Sequence, residues 1–427
     1  MINSEATRYA KFCQFRDSIR GNDSFLIIGI DVAKERHHAF FGTATGKTLL
    51  RRLVFDNNRA GFESLTQRAQ QLMTAHHRSQ VVFGIEPTGN YHKPLANWLV
   101  GQGYMLVLVT NKAIADNRES LDGRWDKNDT KDSANVVDLM AQGKCQFYEN
   151  ASADLNALRS LLSFRKRLKK IEHRTRMQIR NGLLAKYFPE MDRYWGSCLQ
   201  ENLAIVRWCL APRKIANMPF EAFLKRVTRR DRGLRQTKRL RAIYDAAATS
   251  VGCPVDKAAE FEARLLVSQL TGLRERLEQT ESRIATVCRR FPAYRRLLTL
   301  PGFGPYVASQ VLARIGDANR FAGRKQVIRL AGFDLNAKRS GKRSDAAVPV
   351  ISKRGNGDLR YALYQAALIA TYHNTGFRAL FTRYLKGRER ERGIKTKMRV
   401  KLATKMLVIA WCMMREDTDY DPALLRV

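Results

Sequence analysis

Between residues 25 and 150 the apolar residues change spacing in an order that few folds accommodate. FLIIGIDVA (25–33) has the length and β-branched content of a buried strand. HHAFFGT (37–43) and TLLRRLVFD (48–56) follow after short turns, so the three predict a meander. GFESLTQRAQQLMTA (61–75) then sets Phe62, Leu65 and Leu72 at helical spacing. QVVFGIEP (80–87) is a fourth strand, KPLANWLVGQG (93–103) a helix ended by glycine, and MLVLVT (105–110) a fifth strand. DTKDSANVVDLMAQG (129–143) opens on an acidic turn and stops at a glycine, as a helix should.

Three meandering strands followed by helix, strand, helix, strand and helix is the order of a ribonuclease-H-like α/β domain, here residues 24–148 behind an N-terminal extension of residues 1–23. In such a sheet the first and fourth strands are neighbours, and the last helix packs against them. Each of these elements carries a carboxylate. Asp31 sits inside the apolar first strand, where an unpaired charge is expensive. Glu86 ends the fourth strand just before Pro87, and Asp129 and Asp132, three apart, share one face of the helix. Four like charges brought to one point make sense around divalent cations, and hard oxygen ligands suit Mg²⁺ or Mn²⁺. Two such ions can activate an attacking oxygen and stabilise a leaving one in phosphoryl transfer. Taken singly, each acid has a plainer role: Asp31 as a turn cap, Glu86 as an arginine partner, Asp129 as the N-cap of its helix. His37, His38 and His92 lie nearby and are given no role.

The remainder of the chain reads as all-α. Residues 149–291 are helical almost throughout, and Leu266, Leu270, Leu273, Leu277, Thr280, Ile284, Val287 and Phe291 step by fours and threes in an unbroken coiled-coil seam. An earlier apolar run, Leu155 to Leu184, could pair with that seam, or the seam could pair with a copy of itself. Between them KRVTRRDRGLRQTKRLR (225–241) marks a basic insert within 185–255 that matches no motif. From 292 to 427 a helical C-terminal domain is expected. It opens on LLTLPGFGPYVASQVLARIGD (297–317), a helix-hairpin-helix signature in which Gly302 and Gly304 permit a tight turn whose amides can accept a DNA phosphate. Next comes RLAGFDLNAKRSGKRSDAAVPVISKRGN (329–356), where Lys338-Arg339 and Lys342-Arg343 flank Ser340, and Lys353, Arg354 and Arg360 follow. Cations so placed could hold a scissile phosphate and offset charge on its oxygens. A serine hydroxyl is nonetheless a poor nucleophile unless activated. By composition Ser340 is equally a DNA-contact residue, and Ser344 is an equal alternative.

Charge narrows the partner. The net charge is +36, which points to a polyanion. Residues 1–150 carry 19 Lys and Arg against 16 Asp and Glu, residues 151–300 carry 32 against 14, and residues 301–427 carry 25 against 10. The net charges are therefore +3, +18 and +15, so the basic surface belongs to the last two thirds. Charge spread so widely disfavours a membrane-surface binder, which wants one basic amphipathic helix. No apolar run is long enough to span a bilayer, and no signal peptide is seen. Seven scattered cysteines without CxxC pairs predict reduced thiols and a cytoplasmic protein.

In order, GIDVAKERH, GIEPTGNYH, KNDTKDSA, LPGFGPYVASQVLARIG, LAGFDLNAKRSG, ISKRGNGDLRYAL and GIKTKMRVKLATKMLVIAW resemble the motifs of insertion-sequence-110-type transposases. These are DEDD recombinases with a RuvC-like N-terminal domain and a C-terminal transposase domain. The resemblance implies that Asp31, Glu86, Asp129 and Asp132 are the metal-site acids, with two Mg²⁺ or Mn²⁺ ions. It also implies that Ser340, ahead of Gly341, forms a covalent phosphoserine link to DNA. Implied partners are donor and target DNA, a structured guide RNA, and further copies of the chain as dimers pairing into tetramers, the acids of one subunit meeting the serine of another. DAAVP (345–349) departs from the family's usual Gly- and Arg-rich pattern, which keeps Ser344 open. Two other readings remain: a RuvC-type metal nuclease that attacks branched DNA with water and needs no serine, and a non-catalytic basic nucleic-acid-binding protein.

Overall fold

The structure is a computed structural model that describes residues 8–87, 89–122, 129–148, 151–196, 200–229, 233–336 and 350–425. The chain forms two compact units, the first running to Ser152 and taking in Asp317–Gly355, the second comprising Ala153–Gly316 and Asn356–Val427.

The first unit begins with α1 (Arg8–Ile19), followed by β1 (Phe25–Asp31), β2 (Arg36–Thr43) and β3 (Thr48–Asp56). Then come α2 (Arg59–Ala75), β4 (Gln80–Ile85), α3 (His92–Gly101), β5 (Met105–Leu108), α4 (Asn111–Asp122), α5 (Asp129–Ala141) and β6 (Gln146–Phe147). The six strands lie in the order β3-β2-β1-β4-β5-β6. β1 is antiparallel to β2 and parallel to β4, so the first and fourth strands are neighbours as the sequence predicts. The short β6, which sequence reading did not find, closes the far edge antiparallel to β5.

β1 is apolar on both faces because both are covered. Leu26, Ile28 and Ile30 enter a core with Phe62, Leu65, Leu95 and Leu99 of α2 and α3. Phe25 and Ile27 face the opposite way, into a core with Val136, Val137 and Met140 of α5 and Phe15 and Ile19 of α1. The N-terminal extension is thus a packed helix: Arg20, just past α1, donates from Nε and Nη2 to the Gln142 carbonyl just past α5.

The second unit is helical. α6 (Ala153–Gln178) widens into a π turn at Ile179–Leu184 and ends in α7 (Ala185–Tyr187) and α8 (Asp192–Trp195). After these come α9 (Gln200–Trp208), α10 (Pro212–Ala216), α11 (Phe220–Val227), α12 (Leu234–Ala248), the long α13 (Lys257–Cys288), α14 (Pro292–Leu297) and α15 (Pro305–Ile315). The seam of α13 is buried against α6 of the same chain. Leu168 packs on Leu273 and Leu277, and ion pairs Asp154–Arg290, Arg165–Glu281 and Glu172–Arg274 fix the two helices antiparallel. Of the two pairings open to the sequence, the intrachain one is adopted. The basic insert has its own core, in which Trp195, Phe188 and Phe223 meet Leu240 and Ile243 of α12 and Val267 and Leu270 of α13.

The chain returns to the first unit with α16 (Arg324–Ala331) and the antiparallel pair β7 (Leu335–Asn336) and β8 (Val350–Ile351). It finishes in the second unit with α17 (Gly357–His373), α18 (Thr375–Leu385) and α19 (Ile394–Glu416). Among the described residues no helix is long and apolar enough to cross a membrane.

Candidate active site

β1 ends on Asp31, and β4 ends one residue before Glu86. Their parallel register sets Gly29 opposite Gly84 and Ile30 opposite Ile85. The Glu86 amide continues the ladder by donating to the Ile30 carbonyl at 3.3 Å, which brings the two acidic residues level. Residues two apart on a strand share a face. Asp31 therefore stands on the face of Phe25, Ile27 and Gly29, and Glu86 on that of Val82 and Gly84. This is the face that α5 covers.

α5 rests on the two glycines. A Cβ on Gly29 would lie 2.2 Å from the Ser133 carbonyl oxygen, and one on Gly84 would lie 2.1 Å from Met140 Sδ. Val137 reaches both Gly29 and Gly42, and Gly42 is the register partner of Ile27. The helix therefore runs against the direction of β1, and its first turn, with Asp129 and Asp132, lies toward the strand end from which Asp31 and Glu86 emerge. Asp129 begins the helix, and its side chain is outside the described residues.

Asp132 is only 1% exposed. Its Oδ1 accepts a hydrogen bond of 2.5 Å from Arg118 Nη2 of α4. Further along the same edge, Asn117 Nδ2 donates to Asn135 Oδ1 and Asp138 Oδ2, and Asn135 Nδ2 donates to the Ile114 carbonyl. Thus Ser133, Val137 and Met140 address the sheet, while Asp132, Asn135 and Asp138 address α4. The fold brings Asp31 and Glu86 side by side and holds Asp132 against a guanidinium. Among the described residues no three His, Cys, Asp or Glu side chains close into a metal-holding group. The donor chemistry still fits a hard divalent cation, since every candidate ligand is a carboxylate.

Ser340, its flanking Lys338, Arg339, Lys342 and Arg343, and the alternative Ser344 lie outside the described residues, between the paired strands β7 and β8 in sequence. Downstream, Lys353 and Arg354 are exposed on a tightly held return. Ser352 Oγ donates to Asp334 Oδ1 at 2.7 Å, and the Lys353 amide donates to the Gly332 carbonyl. Lys353 has φ +55°, a left-handed conformation unusual for a residue with a side chain. Gly355 presses so close to Gly332 that a Cβ would lie 2.2 Å from its nitrogen.

Gly302 has φ +87°, and a Cβ there would come within 2.3 Å of the Ala366 carbonyl oxygen of α17. Its glycine is therefore required by helix packing, whatever else the turn does. Gly304 is the N-cap of α15, with open space where a Cβ would stand.

His37, given no role from sequence, is a structural residue. It is fully buried, stacks on Phe62, and its Nδ1 accepts the Ala33 amide at 3.2 Å, fixing the turn just past Asp31. Burial holds its pKa below the ordinary histidine value. Sequence reasoning also missed Arg118. Asp31 and Glu86, both named from sequence, each close a Gly-Ile-acid tripeptide, Gly29-Ile30-Asp31 and Gly84-Ile85-Glu86.

Two family descriptions match separate stretches of the chain. A transposase family description, that of the DEDD enzymes of IS110, matches residues 28–189. The Transposase IS116/IS110/IS902 family description matches residues 294–382. The four acids fall in the first range and Ser340 in the second. The chain is 25% identical over 400 residues to an uncharacterized 44.8 kDa protein of insertion element IS116 from Streptomyces clavuligerus, covering 93% of this chain and 96% of that one. It is 24% identical over 411 residues to an uncharacterized 43.6 kDa protein of insertion element IS110 from Streptomyces coelicolor, covering 93% and 96%. It is 23% identical over 402 residues to a pilin gene-inverting protein of Moraxella bovis, covering 92% and 97%.

Proposed function

This chain belongs to the IS110 family of insertion-sequence transposases, enzymes that recombine DNA, and from that premise we propose that it cuts and rejoins DNA strands through a metal-dependent, serine-linked reaction. The observation that carries the metal half is the level placement of Asp31 and Glu86 on neighbouring parallel strands, beneath a helix seated on Gly29 and Gly84. Asp31, Glu86, Asp129 and Asp132 would hold one or two Mg²⁺ or Mn²⁺ ions, which when bound polarise phosphate oxygens and stabilise charge on a departing oxygen. For the fourth acid, Asp132, the contact from Arg118 fixes where the carboxylate oxygen points.

The serine half rests on the family motif and on the cations around Ser340. Ser340 Oγ attacks phosphorus and gives up its proton, one phosphorus–oxygen bond of the DNA breaks, and the released DNA oxygen takes up a proton as a hydroxyl. The phosphoserine ester conserves the phosphodiester, so a hydroxyl from a second strand rejoins it by the reverse step with no nucleotide consumed. Lys338, Arg339, Lys342 and Arg343 offset charge on the phosphate during both steps, and Lys353 and Arg354 extend that basic track. A structured RNA selects donor and target DNA, and dimers pair into tetramers so that acids and serine come from different subunits. The name of the Moraxella protein, a gene inverter, fits a two-site strand exchange of this kind.

The test assays Asp31→Ala and Ser340→Ala side by side with the unaltered chain on paired donor and target DNA, with the RNA and divalent metal present or withheld. Expected are loss of strand exchange in both variants and loss of covalent protein–DNA adducts in the serine variant. An active Ser340→Ala would leave a nuclease that attacks with water. Full activity without divalent metal overturns the role of the acids, and activity indifferent to RNA overturns the guide.

A further inference from the structure

The basic insert lies outside both matched family ranges, and its charge is unspent. α11 and α12 pack on each other as two arms of a hairpin. Residues 225–241 carry nine Lys and Arg against one Asp. Lys225, Arg226 and Arg229 are exposed around the end of α11, and Arg235, Lys238 and Arg241 form an exposed row along α12 at a spacing of three. None of these six makes an ion pair among the described residues. Glu201, a nearby acid of α9, is buried and taken by Gln236 and Arg239. Elsewhere in the second unit cations such as Arg165, Lys166 and Arg290 are matched with carboxylates. On the hairpin, by contrast, six exposed cations lie together with no such partner among the described residues.

Two of the arginines are also held in place. The Arg226 guanidinium lies 4.5 Å from the centre of the Trp208 ring and that of Arg241 3.6 Å from the centre of Phe220. A guanidinium resting on a ring keeps its N–H donors free for an outside acceptor, while its long side chain has less freedom to lose. The rows point to phosphate. On α11 and α12 no aromatic ring is exposed, so the surface offers no platform on which unpaired bases could stack. The row from Arg235 to Arg241 covers about 9 Å of helix, at 1.5 Å per residue, which suits a phosphate backbone rather than a small anion.

We propose that the α11–α12 hairpin is a docking surface for the backbone of double-stranded DNA, separate from the residues that break the strand. The proposal rests on the chain acting on DNA, and not on the assignment of metal or serine. It predicts binding without sequence preference and with a strong dependence on salt.

The test uses the full chain carrying Lys225→Gln, Arg229→Gln, Arg235→Gln and Lys238→Gln together, leaving the two ring-seated arginines in place. Affinity for a duplex of arbitrary sequence is measured across a salt series. The slope of log K against log salt should become shallower by up to about 3.6, at roughly 0.9 for each phosphate of B-form DNA that the variant no longer neutralises. The matching variant with Lys and Arg exchanged should keep the slope, and an unchanged thermal midpoint separates weakened binding from a damaged fold. An unchanged slope in the Gln variant overturns the proposal. So does a slope that changes for a structured RNA hairpin and not for the duplex, since the surface would then belong to RNA. Ser340→Ala should leave the slope intact, so failure of the strand-breaking mechanism is read separately.

Discussion

Gly29 and Gly84 are equivalent in register and unequal in what lies above them. Over Gly29 stands backbone, the Ser133 carbonyl at 2.2 Å from a virtual Cβ, whereas over Gly84 stands the sulfur of Met140, the end of a flexible side chain. Gly29→Ala should therefore cost about 1–3 kcal/mol, the usual range for overpacking, and shift α5 away from Asp31. Gly84→Ala should cost clearly less, and paired urea titrations of the two variants check the order. His37 gives a pH prediction. Its folded pKa is depressed by burial, so the unfolded chain binds the extra proton more readily, and stability present above about pH 6.5, the unperturbed value, is lost as pH falls below it. Protonation at Nδ1 would also break its bond from the Ala33 amide. Thermal midpoints from pH 8 to pH 5 should decline, and His37→Gln should flatten that decline while lowering the plateau. Thiols give a third contrast. Burial pushes Cys145 and Cys288 up to about 12 and Cys209 up to about 11, whereas Cys253 is exposed. A thiol reagent at pH 8 should label Cys253 quickly and those three only on unfolding, as peptide mass mapping would show.

At the scale of elements, the α/β order was legible because each strand and helix carries its own spacing. The level pairing of Asp31 with Glu86 follows from β1 and β4 being neighbours. What escaped was whatever depends on partners remote in sequence. α4 has too few apolar residues to announce itself, and its role in holding Asp132 through Arg118 appears only once α5 is laid beside it. The two-residue β6 carries no readable pattern at all. The motif around Gly302 predicts a phosphate-binding turn, whereas the packing on Ala366 that requires a glycine there depends on a residue far outside any local window. The seam was legible as a seam and ambiguous as to its mate, because heptad spacing says what is buried and not by whom. Now that α6 is the mate, Leu273→Ala or Leu277→Ala should destabilise the second unit by about 2–5 kcal/mol, the range for buried leucine truncation. Calorimetry should show the loss in one transition, with sheet signals of the first unit unaffected.

For the whole molecule, part of the uneven charge set out by sequence gathers on the insert hairpin, where six exposed cations have no ion-pair partner among the described residues. The insert joins the chain where α6 ends and α13 begins, so it is the tip of a two-helix arm. α13 alone has 32 residues, about 48 Å at 1.5 Å per residue. Whatever the tip grips is thus held several nanometres from the far end of the seam, where α15 packs against both helices. Because apolar positions recur every seven residues, the arm has a natural gauge. Adding or removing one heptad from both helices would keep the stripes in phase and move the tip by about 10 Å, whereas any other length change would turn it to a different azimuth.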